Sequence, residues 1–155
     1  MVHEGALVDN DYYAHVIKQE EGFVPHAYAC PAGYITVGYG FNIDEENGGR
    51  MPREVADYWL ARLTEEIEDD LISIFGPARW AIMTPPRRAT LMSMRYQLGG
   101  AGFRRFKKMI RCITSQDWDG AARECMDSKS ARNPKLRGRF MRNADALRTG
   151  KDQWA

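Results

Sequence analysis

Apolar residues recur at three- and four-residue spacing along most of the chain, and one short stretch breaks that rhythm. Tyr12, Tyr13, Val16 and Ile17 keep helical spacing behind Asp9, an N-cap type of residue, until Gly22 stops the pattern. By helical phase Glu21 falls on the stripe of Tyr13 and Ile17, whereas Glu20 is turned away by about 100°. Glu21 is therefore expected to face the interior or a cleft. The break follows: Ala27 to Cys30 and Tyr34 to Gly38 are short β-rich runs on either side of a Pro31-Ala32-Gly33 turn signal. The chain thus predicts a helix feeding a hairpin, with Tyr28, Tyr34, Tyr39 and Phe41 packing that small sheet as core. Residues 43–50 read as a solvated connection.

Helical spacing then resumes. Pro52 suits the first position of a long helix carrying Val55, Trp59, Leu63, Ile67, Leu71 and Ile74 up to Gly76-Pro77. At 1.5 Å per residue such a helix spans roughly 36 Å, enough to link two lobes. Its acidic run, Glu65, Glu66, Glu68, Asp69 and Asp70, is expected to form a solvated face. Beyond Pro85-Pro86 the pattern predicts helices over 87–98, 103–113, 117–126 and 134–147. The expected fold class is α+β, mostly α, with two lobes. A small N-terminal β-hairpin lobe covers about 1–51, a linking helix about 52–75 and a helical C-terminal lobe about 77–155.

The 155 residues are the size of one domain, and a hydrophobic share of 44% suffices for a core. No apolar run reaches membrane-spanning length, and the N-terminus lacks the basic start and apolar centre of a secretory signal, so folding in the cytoplasm is expected. Cys30, Cys112 and Cys125 show neither metal-ligand nor disulfide-framework spacing, and reduced thiols are the simplest expectation. A bond between Cys112 and Cys125 is the less favoured alternative. His3, His15 and His26 likewise lack metal-ligand spacing. Charge changes the picture more. Residues 1–86 carry 5 Lys and Arg against 15 Asp and Glu, a balance of −10, while residues 87–155 carry 17 against 6, a balance of +11. The basic residues cluster at Arg104 to Lys108 and from Arg132 to Arg142, which favours a polyanionic contact over mere solubility.

The helix-to-hairpin stretch also carries candidate chemistry. Eight residues separate Glu21 from Cys30 and five separate Cys30 from Thr36, and the hairpin can carry the thiol and the hydroxyl back toward the acid. Glu21, Gly22, Tyr28, Cys30, Gly33, Thr36, Gly38 and Gly40 together match a pattern of Glu-Gly, Tyr, Asp or Cys, then Gly-x-x-Thr-x-Gly-x-Gly. In this the chain resembles the phage-type lysozymes, muramidases and endolysins of glycoside hydrolase family 24. The second half resembles them more thinly, at Tyr96-Gln97-Leu98-Gly99 with Gly102-Phe103, at Trp118-Asp119-Gly120-Ala121-Ala122, and at Asn133-Pro134 with Arg137 and Arg139. One departure stands out: Phe41 occupies a position where the family often has His, so any ion pair made by that His is absent.

The resemblance implies a lysozyme-like fold and hydrolysis of the β-1,4 bond between N-acetylmuramic acid and N-acetylglucosamine in bacterial peptidoglycan, leading to host lysis. It implies Glu21, Cys30 and Thr36 as catalytic residues and Asn42, Tyr96 and Gln97 as saccharide contacts. It implies no cofactor and no metal. Partial burial and the negative helix end would help Glu21 remain a proton donor. Cys30 stands where most of these enzymes have Asp. Either it helps Thr36 hold a water, which gives inversion, or its thiolate attacks the sugar, which gives retention. A monomer is expected, released to the periplasm by a holin-type factor and contacting anionic wall or outer-membrane components through its basic lobe, without nucleic acid. The alternatives are a non-catalytic cell-wall-binding module, in which Cys30 marks lost chemistry, and a nucleic-acid-binding module resting on charge alone.

Overall fold

The structure is a computed structural model that describes residues 4–154, with the side chains of residues 4–11, 13 and 47 left aside. It divides into two compact units, one up to Tyr58 and one from Trp59 onward.

In the first unit helix α1 covers Glu4–Glu21, so it begins before Asp9, which lies inside it. Gly22 ends it as expected: its φ is +67° and its N–H donates to the Lys18 carbonyl at 3.2 Å, a left-handed cap suited to glycine. Among the described side chains, which do not include that of Tyr13, the inward-facing stripe is not found. Tyr12, Val16 and Ile17 are exposed, and so is Glu21. The sheet beside them is too small to cover such a stripe, and in it only Thr36 and Gly38 are buried.

Strands β1 (Val24–Ala29), β2 (Ile35–Gly38) and β3 (Phe41–Asn42) form an antiparallel sheet in that order. The third strand is additional to the expected hairpin. It forms because Gly38 and Gly40, with φ of +69° and +74°, reverse the chain tightly after β2. The β1–β2 register slips between Val24 and Tyr28, around Pro25, which has no N–H to give to a ladder. The aromatic residues do not make a core as expected, since Tyr34 and Phe41 are exposed. Residues 43–50 are more ordered than a plain connection. Asp44 caps a 3₁₀ turn over Glu45–Asn47 and also accepts from the Ile35 N–H, which ties the segment to β2.

Helix α2 covers Arg53–Phe75, with the Pro52 carbonyl accepting from Ala56 N–H just ahead of it. Ile67, Leu71 and Phe75 are buried. In the second unit follow α3 (Pro77–Ile82), α4 (Pro85–Arg104), α5 (Lys107–Thr114), α6 (Trp118–Met126), α7 (Lys129–Arg132) and α8 (Pro134–Thr149). The two single-turn or near single-turn helices α3 and α7 escaped the spacing pattern because neither is long enough to show a period. The expected helix over 103–113 is divided, since Phe103 belongs to the end of α4 and a new helix starts at Lys107. The core joins Leu71 and Phe75 to Leu91, Met94, Phe103, Met109, Ile113, Phe140 and Leu147. All three cysteines are free thiols; burial pushes Cys125 up to about 12 and raises Cys112 as well.

The acidic run of α2 is not a uniformly solvated face. Glu68 accepts from the Trp80 indole N–H at 2.9 Å, and Asp70 accepts from the guanidinium groups of both Arg95 and Arg104. Helix α4 breaks between those two arginines at Gly99, whose φ of +69° and ψ of 168° are not helical. Asp70 therefore holds both arms of a broken helix, and Gly100 keeps the turn open, because a Cβ there would stand 2.9 Å from Arg95 Nη2. The Arg104 hydrogen bond, followed by that of Arg95, lowers the Asp70 carboxyl to about 2 from an ordinary 3.8. A depressed folded-state value contributes stability above the unfolded value that is lost as pH falls through the folded one. Thermal melts of the intact protein are expected to lose stability between about pH 4 and pH 2. Asp70→Asn is expected to remove this part of the acid limb and to cost about 1 kcal/mol at neutral pH, because the amide keeps one acceptor oxygen but loses the other and the charge.

Candidate active site

Glu21 is the last residue of α1, and its carboxylate lies against the turn between β2 and β3. A Cβ on Gly40 would stand 3.1 Å from Glu21 Oε2 and press on the carboxylate, and the φ of +74° there also favours glycine. Ring contacts hold the helix end there. Phe23 packs on Tyr39 with centroids 5.4 Å apart, Tyr39 meets Phe41 edge-on at 6.3 Å, and Lys18 Nζ from the last turn of α1 sits 5.7 Å from the Tyr39 ring centre. Phe41 also lies close over Gly38, where a Cβ would come within 3.1 Å of its ring. Each of these two glycines thus faces a side chain of the protein itself.

Thr36 occupies the middle of the central strand and is only 4% exposed. Its hydroxyl donates to the Tyr28 carbonyl at 3.3 Å, which leaves its oxygen lone pairs for another donor. Its partners across the sheet are Tyr28 on β1 and Asn42 on β3. Cys30 lies one step beyond β1, where its N–H donates to the Tyr34 carbonyl at 2.8 Å and its carbonyl accepts from Gly33 N–H at 2.7 Å. The ladder therefore continues to Cys30, and strand alternation places Cys30, Tyr28, Thr36 and Asn42 on one face. The thiol is half-buried. The Asn42 side-chain carbonyl accepts from Asp44 N–H at 2.9 Å, so this residue also anchors the loop after β3.

The fold thus brings Cys30, Thr36 and Asn42 together on one sheet face and sets Glu21 against the turn that closes the same sheet. Tyr96 and Gln97 stand on α4 in the second unit, just ahead of the break at Gly99. Tyr96 is exposed, and the Gln97 side-chain oxygen is buried without a hydrogen-bond partner among the described residues. Their neighbour Arg95 is fixed by Asp70, a positioning contact that the sequence signalled only as one more acid in a run. The contact between Lys18 and Tyr39 was equally hidden, since spacing along the chain does not say which ring a lysine reaches. Among the described residues no group of three or more His, Cys, Asp or Glu is placed to hold a metal ion.

An acid at a helix end beside a sheet that carries a thiol and a hydroxyl has the kinds of group that glycoside hydrolysis needs. The family model described as phage lysozyme matches residues 18–145, from the last turn of α1 into α8, and the chain belongs to that family. The protein is accordingly a glycoside hydrolase, a peptidoglycan-degrading endolysin in the general sense. No curated protein matches the chain.

The contact at Gly40 can be tested directly. Gly40→Ala is expected to lower peptidoglycan hydrolysis by about tenfold or more, because the added methyl group displaces the Glu21 carboxylate. Gly48→Ala supplies the control. That glycine has a similar φ of +72° but nothing within 4 Å of its Cβ position, so it shares the backbone strain and should keep its activity. Equal activity losses in the two variants, measured on one peptidoglycan preparation, would show backbone strain to be the cause.

Proposed function

We propose that the protein hydrolyses the β-1,4 bond between N-acetylmuramic acid and N-acetylglucosamine and so lyses the host cell. The observation that carries this reading is the Glu21 carboxylate set against Gly40 at the edge of the sheet that presents Cys30 and Thr36. In the proposed reaction Glu21 gives its proton to the leaving glycosidic oxygen as the bond to the anomeric carbon breaks. A water held by Thr36 attacks that carbon and passes its proton to Cys30 in its thiolate form. The use of the Thr36 hydroxyl hydrogen on Tyr28 supports the water-holding role, since the oxygen can still accept from water. Asn42, Tyr96 and Gln97 contact saccharide in this reading.

The enzyme acts as a monomer and without a cofactor. It is made in the host cytoplasm and reaches peptidoglycan in the periplasm after a holin-type factor permeabilises the membrane. Among the described residues no helix is long and apolar enough to cross a membrane. The basic second half contacts anionic components of the wall or outer membrane.

Digestion of purified peptidoglycan, followed by mass spectrometry, is expected to yield fragments with reducing muramic acid ends. Glu21→Gln should reduce this product by about a hundredfold or more while leaving the thermal melt in place. Cys30→Asp should preserve or raise activity, because the carboxylate is a ready base at neutral pH. An inactive but folded Cys30→Asp variant would remove Cys30 from the mechanism. Proton NMR of the first product anomer reads the stereochemical course: inversion accords with the attacking water, and retention would instead mean covalent attack by the thiolate.

A further inference from the structure

The second unit contains a groove of about 740 Å³ bordered by the end of α4, α5, the last part of α6 and α7. Its floor is apolar, with Leu98 and Phe106 half-buried and Met109 fully buried. Five cations stand around it, Arg105, Lys107, Lys108, Arg111 and Lys129, against two acids, Glu124 and Asp127. One of those acids is already engaged, since Asp127 pairs with Arg132. None of the five cations makes an ion pair with a described residue, in contrast to Arg62, Arg95, Arg104, Arg132 and Arg148, which all do. The positive end of α5 adds to this field, for the helix opens at Lys107 behind Phe106, a residue with no side-chain group to cap it. A concentration of unneutralised positive charge around an apolar floor is costly in self-repulsion unless an anion relieves it.

We infer that this groove docks the protein on the phosphate headgroups of an anionic lipid bilayer, with the cations on the phosphates and the apolar floor against the upper acyl region. The inference deepens the proposed anionic contact of the basic second half by assigning it to one surface and one partner chemistry. Long Lys and Arg side chains reach a charged surface while their stems lie along apolar groups, which suits a headgroup boundary. Nucleic acid fits less well. Phe106 is the one aromatic residue lining the groove, and one face of its ring is already taken by Phe140 at 6.3 Å and 18°, so the groove lacks the row of aromatic rings on which successive bases stack.

The test is co-sedimentation of the full chain with vesicles rich in phosphatidylglycerol and with vesicles of phosphatidylcholine alone, at about 50 and about 300 mM salt. Wild-type protein is expected to bind the anionic vesicles at low salt, to lose most of that binding at high salt, and to ignore the neutral ones. The combined substitution Lys107→Glu, Lys108→Glu and Lys129→Glu should weaken binding by about tenfold or more. A control with equal charge change at exposed positions outside the groove, Lys135→Glu, Arg142→Glu and Lys151→Glu, should weaken it far less. Thermal melts check that both variants fold, and hydrolysis of solubilised peptidoglycan fragments should be unchanged in the groove variant. Equal losses in the two variants would overturn the groove while leaving a general attraction of the basic half intact. No binding of wild-type protein to anionic vesicles would overturn both. A groove variant that loses single-stranded DNA binding but keeps its vesicle binding would overturn the lipid assignment.

Discussion

The Glu21 carboxylate of this protein stands against the β2–β3 turn at the point where position 40 has no side chain. Glu21 ends α1, Gly22 turns the chain in a left-handed conformation, and Gly40 leaves the space that the carboxylate oxygen fills. The ring contacts of Phe23 and Phe41 with Tyr39, with Lys18 over the central ring, fix the helix end to the turn. The remaining reactive groups follow from the sheet beyond that turn, since the register that opposes Thr36 to Tyr28 and Asn42 also brings Cys30 onto the same face. The geometry of the candidate site in this first unit thus rests on backbone freedom at two glycines and on ring contacts at the surface.

The second unit is built on a different principle. Its buried residues, among them Leu71, Phe75, Leu91, Met94, Phe103 and Leu147, form a continuous apolar core in which helices hold one another by contact area. Within it one ionic device stands out. Asp70 bridges Arg95 and Arg104 on either side of the break at Gly99 and so sets the course of the segment that carries Tyr96 and Gln97. A partly buried carboxylate with two guanidinium partners retains its charge to low pH, and the break in α4 is held by that charge.

Much of this was legible residue by residue. Helical spacing located α2, α6 and α8 to within a few residues, Gly22 marked the end of α1, and the Pro31-Ala32-Gly33 turn marked the hairpin. The motif from Glu21 to Gly40 pointed to the phage lysozyme family, to which the chain belongs. Other features left no local trace. Strand β3 is two residues long, too short for alternation to reveal it, and α3 and α7 are too short for a helical period. Asp70 lies in a run of five acids, and nothing in that run distinguishes the member that pairs from those that face water. The apolar stripe of α1 misled for the reverse reason, because a stripe reports what could be buried and not whether anything covers it.

The sequence by itself determined the kinds and order of elements, the candidate acid, thiol and hydroxyl, and the family, because these depend on local backbone preference and on spacing along the chain. Only the tertiary structure decided which groups touch: Glu21 with Gly40, Asp70 with two arginines, and five cations around an apolar groove with no described partner. Burial, pairing and charge balance are properties of neighbours in space. Those neighbours lie 19 residues apart for Glu21 and Gly40 and 25 and 34 apart for Asp70 and its arginines, far beyond any local pattern.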